Sequence, residues 1–170
     1  MLRLMLFRHA HADRPDGVED HERPLSERGR AQAHRMGAFL GEHGLVPDVV
    51  IVSTSRRTQE TWAYAVDAAG FSAPLVNEPR VYESSAGDLL EVLRGHKESR
   101  CLMLVGHNPG IERLAAWLIG DGDPAALARL QREFVVAGLA VLDFDIAQWS
   151  ELDVQKGRLE RFETPDTVGA

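Results

Sequence analysis

The sequence predicts an α/β fold, a three-layer α/β/α sandwich around a mainly parallel sheet, on the strength of three observations. Residues 1–7, 49–52 and 102–105 are short apolar runs without alternation, the pattern of strands covered on both faces. Between and after them, apolar residues recur at i, i+3, i+4 and i+7, the stripe by which a helix packs on a sheet. Capping and closing residues then fall at the ends of those stripes.

Residues 1–7, apolar except for Arg3, are too short for a buried helix and read as the first strand. Ser26 stands where the first helix needs its N-cap, Ala33, Met36, Gly37 and Leu40 form its buried stripe, and Gly44 closes it. Residues 49–52 give the second strand. The next helix carries Trp62, Ala65, Val66 and Ala69 and closes at Gly70. A short extended piece near Leu75 and Val76 supplies another strand, and Leu89, Val92, Leu93 and His96 mark a third helix. After residues 102–105, a fourth helix carries Ile111, Leu114, Ala115 and Leu118 and closes at Gly120. Residues 134–144 and 158–162 complete the sheet. Trp62 and Trp117 read as core; His21, His34, His43 and His96 read as loop or helix surface.

With 170 residues the chain suits one domain, here 1–165, with 166–170 as a flexible C-terminal tail. A hydrophobic fraction of 44% with 26% charged residues is that of a globular protein, without repeats or linkers. The apolar run at residues 4–7 is too short for a signal-peptide core, so a cytoplasmic location is expected. The single cysteine, Cys101, forbids an intramolecular disulfide and reads as core filler, which suits a reducing compartment. A net charge of -7 argues against nucleic acid or an anionic membrane as partner, so any phosphate site must be locally positive.

In a sheet of this kind ligands bind outside the carboxyl ends of the strands. The first strand ends in Arg8-His9, the second runs through Ser53-Thr54-Ser55 into Arg56-Arg57, and the later one runs into Gly106-His107-Asn108-Pro109. Two arginines and two histidines converging beside helix N-termini suit a doubly charged anion, because guanidinium groups grip phosphate oxygens and free helical N–H groups add to the field. A metal pair at His11 and Asp13 is the competing reading. Nearby Arg8 and Arg57 would crowd a dication and no further ligand cluster follows a later strand, so neither metal nor cofactor is expected.

These residues resemble the histidine phosphatase superfamily, also called phosphoglycerate mutase-like. Its Arg-His-Gly is matched by Arg8-His9-Ala10, and its Ser-Pro-x-x-Arg-Ala-x-x-Thr by residues 53–61, with Thr54 in place of proline. Its Gly-His is matched by Gly106-His107. Arg23-Pro24-Leu25-Ser26 followed by Gly29, and the closing segment 157–165, are similar to the short SixA-like branch, the protein phosphohistidine phosphatases.

The resemblance implies His9 as nucleophile, Arg8, Arg57 and His107 as phosphate-binding catalytic groups, and Glu83 or a neighbour as proton donor to the leaving group. Arg56 is expected at the surface, and Ser84 and Ser85 as turn or capping residues. The implied activity is a metal-independent phosphatase acting on phosphohistidine in proteins, since the chain has no room for a large cap. A small-molecule phosphomonoesterase and a non-catalytic phosphate- or phosphohistidine-binding module are the alternatives. A monomer is favoured.

Overall fold

A computed structural model describes residues 1–169. Seven strands form one mixed sheet in the order β3-β2-β4-β1-β6-β7-β5. They are β1 (Leu2–Arg8), β2 (Val49–Val52), β3 (Leu75–Asn77), β4 (Cys101–Gly106), β5 (Ile119–Gly122), β6 (Leu139–Phe144) and β7 (Gly157–Glu163). Only β6 runs against the others: it pairs antiparallel with β1 and β7, whereas the remaining pairings are parallel. The helices are α1 (Glu27–Glu42), α2 (Arg56–Ala69), α3 (Ala86–Arg94), α4 (Gly110–Leu118) and α5 (Pro124–Arg132).

The central strands are buried on both faces because alternate side chains enter different cores. Leu4, Leu6, Ile51, Leu102 and Leu104 pack with α3, α4 and Ala126 of α5. Met5, Phe7, Val50, Val52, Met103 and Val105 pack with α1 and α2 on the other side. Three layers result, as expected from the sequence.

Helix ends follow from local chemistry. Ser26, Ser55 and Ser85 cap α1, α2 and α3, each accepting a backbone N–H from the first turn. Gly44 and Gly70 take the left-handed backbone that ends α1 and α2. Gly120 does not: it lies in β5, where a Cβ would overlap the Gln155 carbonyl, so glycine is needed for close backbone approach rather than for a helix stop.

Other expectations are corrected. Helix α3 ends at Arg94, leaving His96 beyond it, and Phe134 sits in a buried loop before β6. Trp117 is 47% exposed instead of core, because it falls on the solvent side of α4 while Leu114, Ala115 and Leu118 face inward. Part of the expected loose tail closes a turn, with the Val168 N–H bonded to the Thr164 carbonyl and Val168 packed on the second core. Ala170, the last residue of that expected tail, lies outside the described residues.

Helices α1 and α2 pack backbone to backbone. A Cβ at Gly37 or Gly41 would overlap the carbonyl oxygen of Ala65 or Ala69 on the facing helix. Gly37→Ala is expected to lower stability by about 1–3 kcal/mol, the usual cost of overpacking. Denaturant midpoints check this, and an unchanged or raised midpoint would contradict it.

Candidate active site

The sheet order puts β2, β4 and β1 side by side, and all three run the same way, so their C-terminal ends share one edge. His9 follows β1, Ser53 follows β2 and leads into α2 with Arg57 in its first turn, and His107 follows β4. The His9 and His107 rings lie 5.3 Å apart between centroids. The segment after His9 is pinned by the Ala10 N–H donating to Thr61 Oγ1 at 2.9 Å and the His11 N–H donating to Gln32 Oε1 at 3.0 Å.

Two features leave His9 with a free ring nitrogen. Its Nδ1 lies 2.7 Å from the Ala10 carbonyl oxygen, which can only accept, so Nδ1 carries the proton and Nε2 keeps its lone pair. Burial, seconded by Arg57 and Arg8, pushes its pKa down to about 4, so the ring stays neutral at physiological pH.

His107 is pushed down to about 3, mainly by burial and then by His9 and Arg57. For both rings the folded pKa lies below the ordinary 6.5, so between about pH 6.5 and 4 the unfolded chain binds more protons than the folded one. Stability should therefore fall as pH falls through that window, by up to about 1.4 kcal/mol per pH unit for each histidine. Urea unfolding at pH 7.5 and pH 5 measures it; equal stabilities would contradict the buried neutral pair.

The donors around His9 are distinctive. Arg57 is only 7% exposed; its Nη1 donates to the Asp20 backbone carbonyl at 2.8 Å and its Nη2 to Asp20 Oδ2 at 3.2 Å. Arg8 Nη1 donates to the Phe134 carbonyl at 2.9 Å. His107 Nε2 is 2.8 Å from Ser53 Oγ. This leaves Arg8 Nε, Arg57 Nε and His107 Nδ1, three of the five buried side-chain polar atoms without a partner among the described residues. Buried polar groups are normally paired, so three orphans at one site mark a place for an acceptor-rich ligand. Two unpaired guanidinium N–H groups and an unpaired imidazole nitrogen, beside two positive charges, suit a phosphoryl group.

The structure adds residues that no sequence pattern singled out. Asp20, on a 3-10 turn (Asp20–Glu22), accepts from Arg57, from Arg23 Nη1 at 3.2 Å and from the Tyr82 hydroxyl. Tyr82 first, then Arg23 and Arg57, hold its carboxyl well below the usual carboxylate range. Burial and Asp20 push the Tyr82 hydroxyl up to about 12. The Tyr82 ring packs edge-on against His107 and His21, and His21 Nε2 lies 2.9 Å from Thr54 Oγ1. His21, expected as plain surface, thus stands in this cluster. Its segment shows no periodicity, so nothing in the spacing marked it.

Glu83 is exposed on the approach to α3, with a positive φ of 52°, and its side chain makes no hydrogen bond among the described residues. Arg56 points away and pairs with Glu60 at 2.9 Å. His11 Nδ1 meets Ser26 Oγ at 2.7 Å.

Asp20 occupies with its carboxylate the guanidinium that an incoming anion would need. Asp20→Asn should tighten competitive inhibition by inorganic phosphate about five-fold, the scale of a half-exposed ion pair. An inhibition constant that is unchanged or weaker would show that Asp20 does not compete.

A half-buried, neutral histidine flanked by unpaired guanidinium N–H groups at the carboxyl edge of an α/β sheet makes a histidine-centred site suited to an anion. Residues 4–93 match the model of the histidine phosphatase superfamily (branch 1), and the chain belongs to that superfamily. An uncharacterized protein of Mycobacterium tuberculosis is 32% identical over 162 residues, covering 94% of this chain and 99% of that protein. Among solved structures, a protein assigned as the phosphohistidine phosphatase SixA of Agrobacterium tumefaciens superposes with a TM-score of 0.82 at 29% identity, covering 96% of this chain and 98% of that one. One given the same assignment from Nakamurella multipartitia superposes at 0.84 with 29% identity over 96% of each chain. The likeness to the SixA-like branch runs over nearly the whole chain.

Proposed function

We propose that this chain is a phosphatase that takes a phosphoryl group onto His9 Nε2 and that its substrate is phosphohistidine in a protein. The observation that carries the reading is the trio of unpaired buried nitrogens, Arg8 Nε, Arg57 Nε and His107 Nδ1, around a histidine whose tautomer leaves Nε2 free.

In the first step the Nε2 lone pair attacks phosphorus in line, forming an N–P bond as the substrate's P–N or P–O bond breaks. The two guanidinium groups and His107 bear the charge spread over the equatorial oxygens. Water then cleaves the phosphohistidine and inorganic phosphate leaves. Arg8 and Arg57 supply the positive charge that a dication supplies elsewhere, and the reading is of a metal-independent enzyme.

Leaving-group chemistry favours phosphohistidine over an alkyl ester. Asp20 is held ionised and has no proton to give, while Glu83 is exposed and hydrogen-bonds to none of the cluster. An alkoxide leaves badly without an acid, whereas an imidazole leaves more readily. p-Nitrophenyl phosphate, whose phenolate needs no proton, should therefore outpace an alkyl phosphate; equal rates would support a phosphomonoesterase with Glu83 as acid.

The deciding assay offers a phosphohistidine protein, p-nitrophenyl phosphate and an alkyl phosphate, each with and without chelator. Release of phosphate from the phosphoprotein, unaffected by chelator, is the expected result. Chelator-sensitive turnover would overturn the metal-free mechanism, and binding without turnover would leave a recognition module. Among the described residues no helix is long and apolar enough to cross a membrane.

A further inference from the structure

We propose that Ser53 is a positioning residue that selects the tautomer of His107, holding its proton on Nδ1 so that this nitrogen donates to the transferring phosphoryl group. The inference rests on the reading of His9 as the phosphoryl acceptor.

The argument is an accounting of hydrogens around two fully buried hydroxyls. Ser53 Oγ accepts the Ser55 backbone N–H at 3.3 Å, so its own proton still requires an acceptor. Among the described residues the only other partner of Ser53 Oγ is His107 Nε2, at 2.8 Å. If Nε2 instead carried the proton, it would donate to Ser53 and the serine proton would be buried without a partner, which costs about 1–3 kcal/mol.

Ser55 does not compete for the role. Its Oγ accepts the Thr58 N–H and lies 2.7 Å from Thr58 Oγ1, which in turn donates to the Ser53 and Ser55 carbonyls. The Ser55 hydroxyl proton is thus spent on Thr58, and its approach to His107 Nε2 is only 3.5 Å. Thr58 and Gln59 also clamp the Ser53 carbonyl, at 2.9 Å and 2.8 Å, so the serine is held in place.

The other nitrogen is left for the site: strand β4 lies between β2 and β1, and the His107 ring is engaged through Nε2 by Ser53 from the β2 side while its centroid stands 5.3 Å from that of His9 on the β1 side. Nδ1 is buried and unpaired. As N–H it is a third donor beside two arginines; as a bare lone pair it would face phosphoryl oxygens and repel them. The ring is neutral at physiological pH, so the tautomer alone decides between these outcomes.

Long-range ¹H–¹⁵N NMR of the histidine rings tests this directly in the unmodified protein. The expected His107 signature is a protonated, pyrrole-type Nδ1 and a bare, pyridine-type Nε2; the reverse pattern would overturn the proposal, whatever the substrate proves to be. Ser53→Ala should then shift His107 toward the Nε2–H form and lower kcat roughly 100-fold with little change in KM, as loss of one phosphoryl donor does. Ser53→Thr, which keeps the hydroxyl, should restore most of both. A folded Ser53→Ala protein with the wild-type tautomer or wild-type turnover would refute the role. Should the alanine variant not fold, the wild-type spectrum still decides. Failure of the phosphatase reading is separately visible, since it would leave the wild-type protein inert toward every phosphorylated substrate while the ring signature stood.

Discussion

His9→Ala should abolish phosphatase turnover, with kcat reduced on the order of 10⁴-fold or more, the scale seen when a covalent nucleophile is removed. Alanine takes away the ring nitrogen that the Ala10 contact leaves free, whereas His107 Nε2 is already engaged by Ser53. Binding should survive, since Arg8, Arg57 and His107 remain, so inorganic phosphate should still inhibit or bind with similar affinity. Acid quench of the wild-type enzyme with ³²P-labelled substrate should trap label on the protein, and the variant should trap none. Equal labelling of both would move the nucleophile elsewhere. The pH profile carries the same signature: His9 is neutral above about pH 4, so its protonation cuts kcat/KM only below that point and leaves neutral pH untouched.

Arg57→Ala should cost about 10³-fold or more in kcat, comparable with loss of an arginine that stabilises a phosphoryl-transfer transition state. The guanidinium is buried, carries one of the unpaired donors, and stands where charge develops. Arg57→Lys should recover little, because an ammonium cannot hold the Asp20 backbone carbonyl and also present a planar fork of N–H groups to the phosphoryl oxygens. Steady-state kinetics of the two variants beside the wild type check this. A lysine enzyme with near wild-type kcat would show that charge alone suffices.

Most of the fold was legible because each central element carries a period strong enough to read. The buried runs of β1, β2 and β4 and the stripes of α1 to α4 record contact with a continuous core. Helix α5 and strand β5 were not legible. Only Ala126 of α5 is fully buried, and β5 reads Ile-Gly-Asp-Gly, a poor strand sequence that is extended because β7 offers it a parallel edge. Trp117 misled because side-chain size suggests burial while the face of α4 on which it falls is set by its neighbours.

The candidate site divides in the same way. Arg8, His9, Arg57 and His107 stand at strand ends or in a first helical turn, positions the strand pattern itself marks. Asp20, His21 and Tyr82 come from loops that reach the site through tertiary contacts. The segment bearing Asp20 is folded back by the Asp13 N–H bonding to the Pro24 carbonyl and by the Ala12–Leu25 bridge, and neither is written in a local period.

The backbone contact between α1 and α2 determines which partner yields when an anion arrives. Gly37 and Gly41 seat α2 directly on α1 and Arg57 is buried in its first turn, whereas Asp20 is half exposed on a short turn, so Asp20 is the partner free to yield. Substrate capture is then an exchange of anions at a stationary charge, carboxylate out and phosphoryl in. On the phosphatase reading, affinity is accordingly a difference between two ion pairs, so product phosphate would be held loosely and released readily.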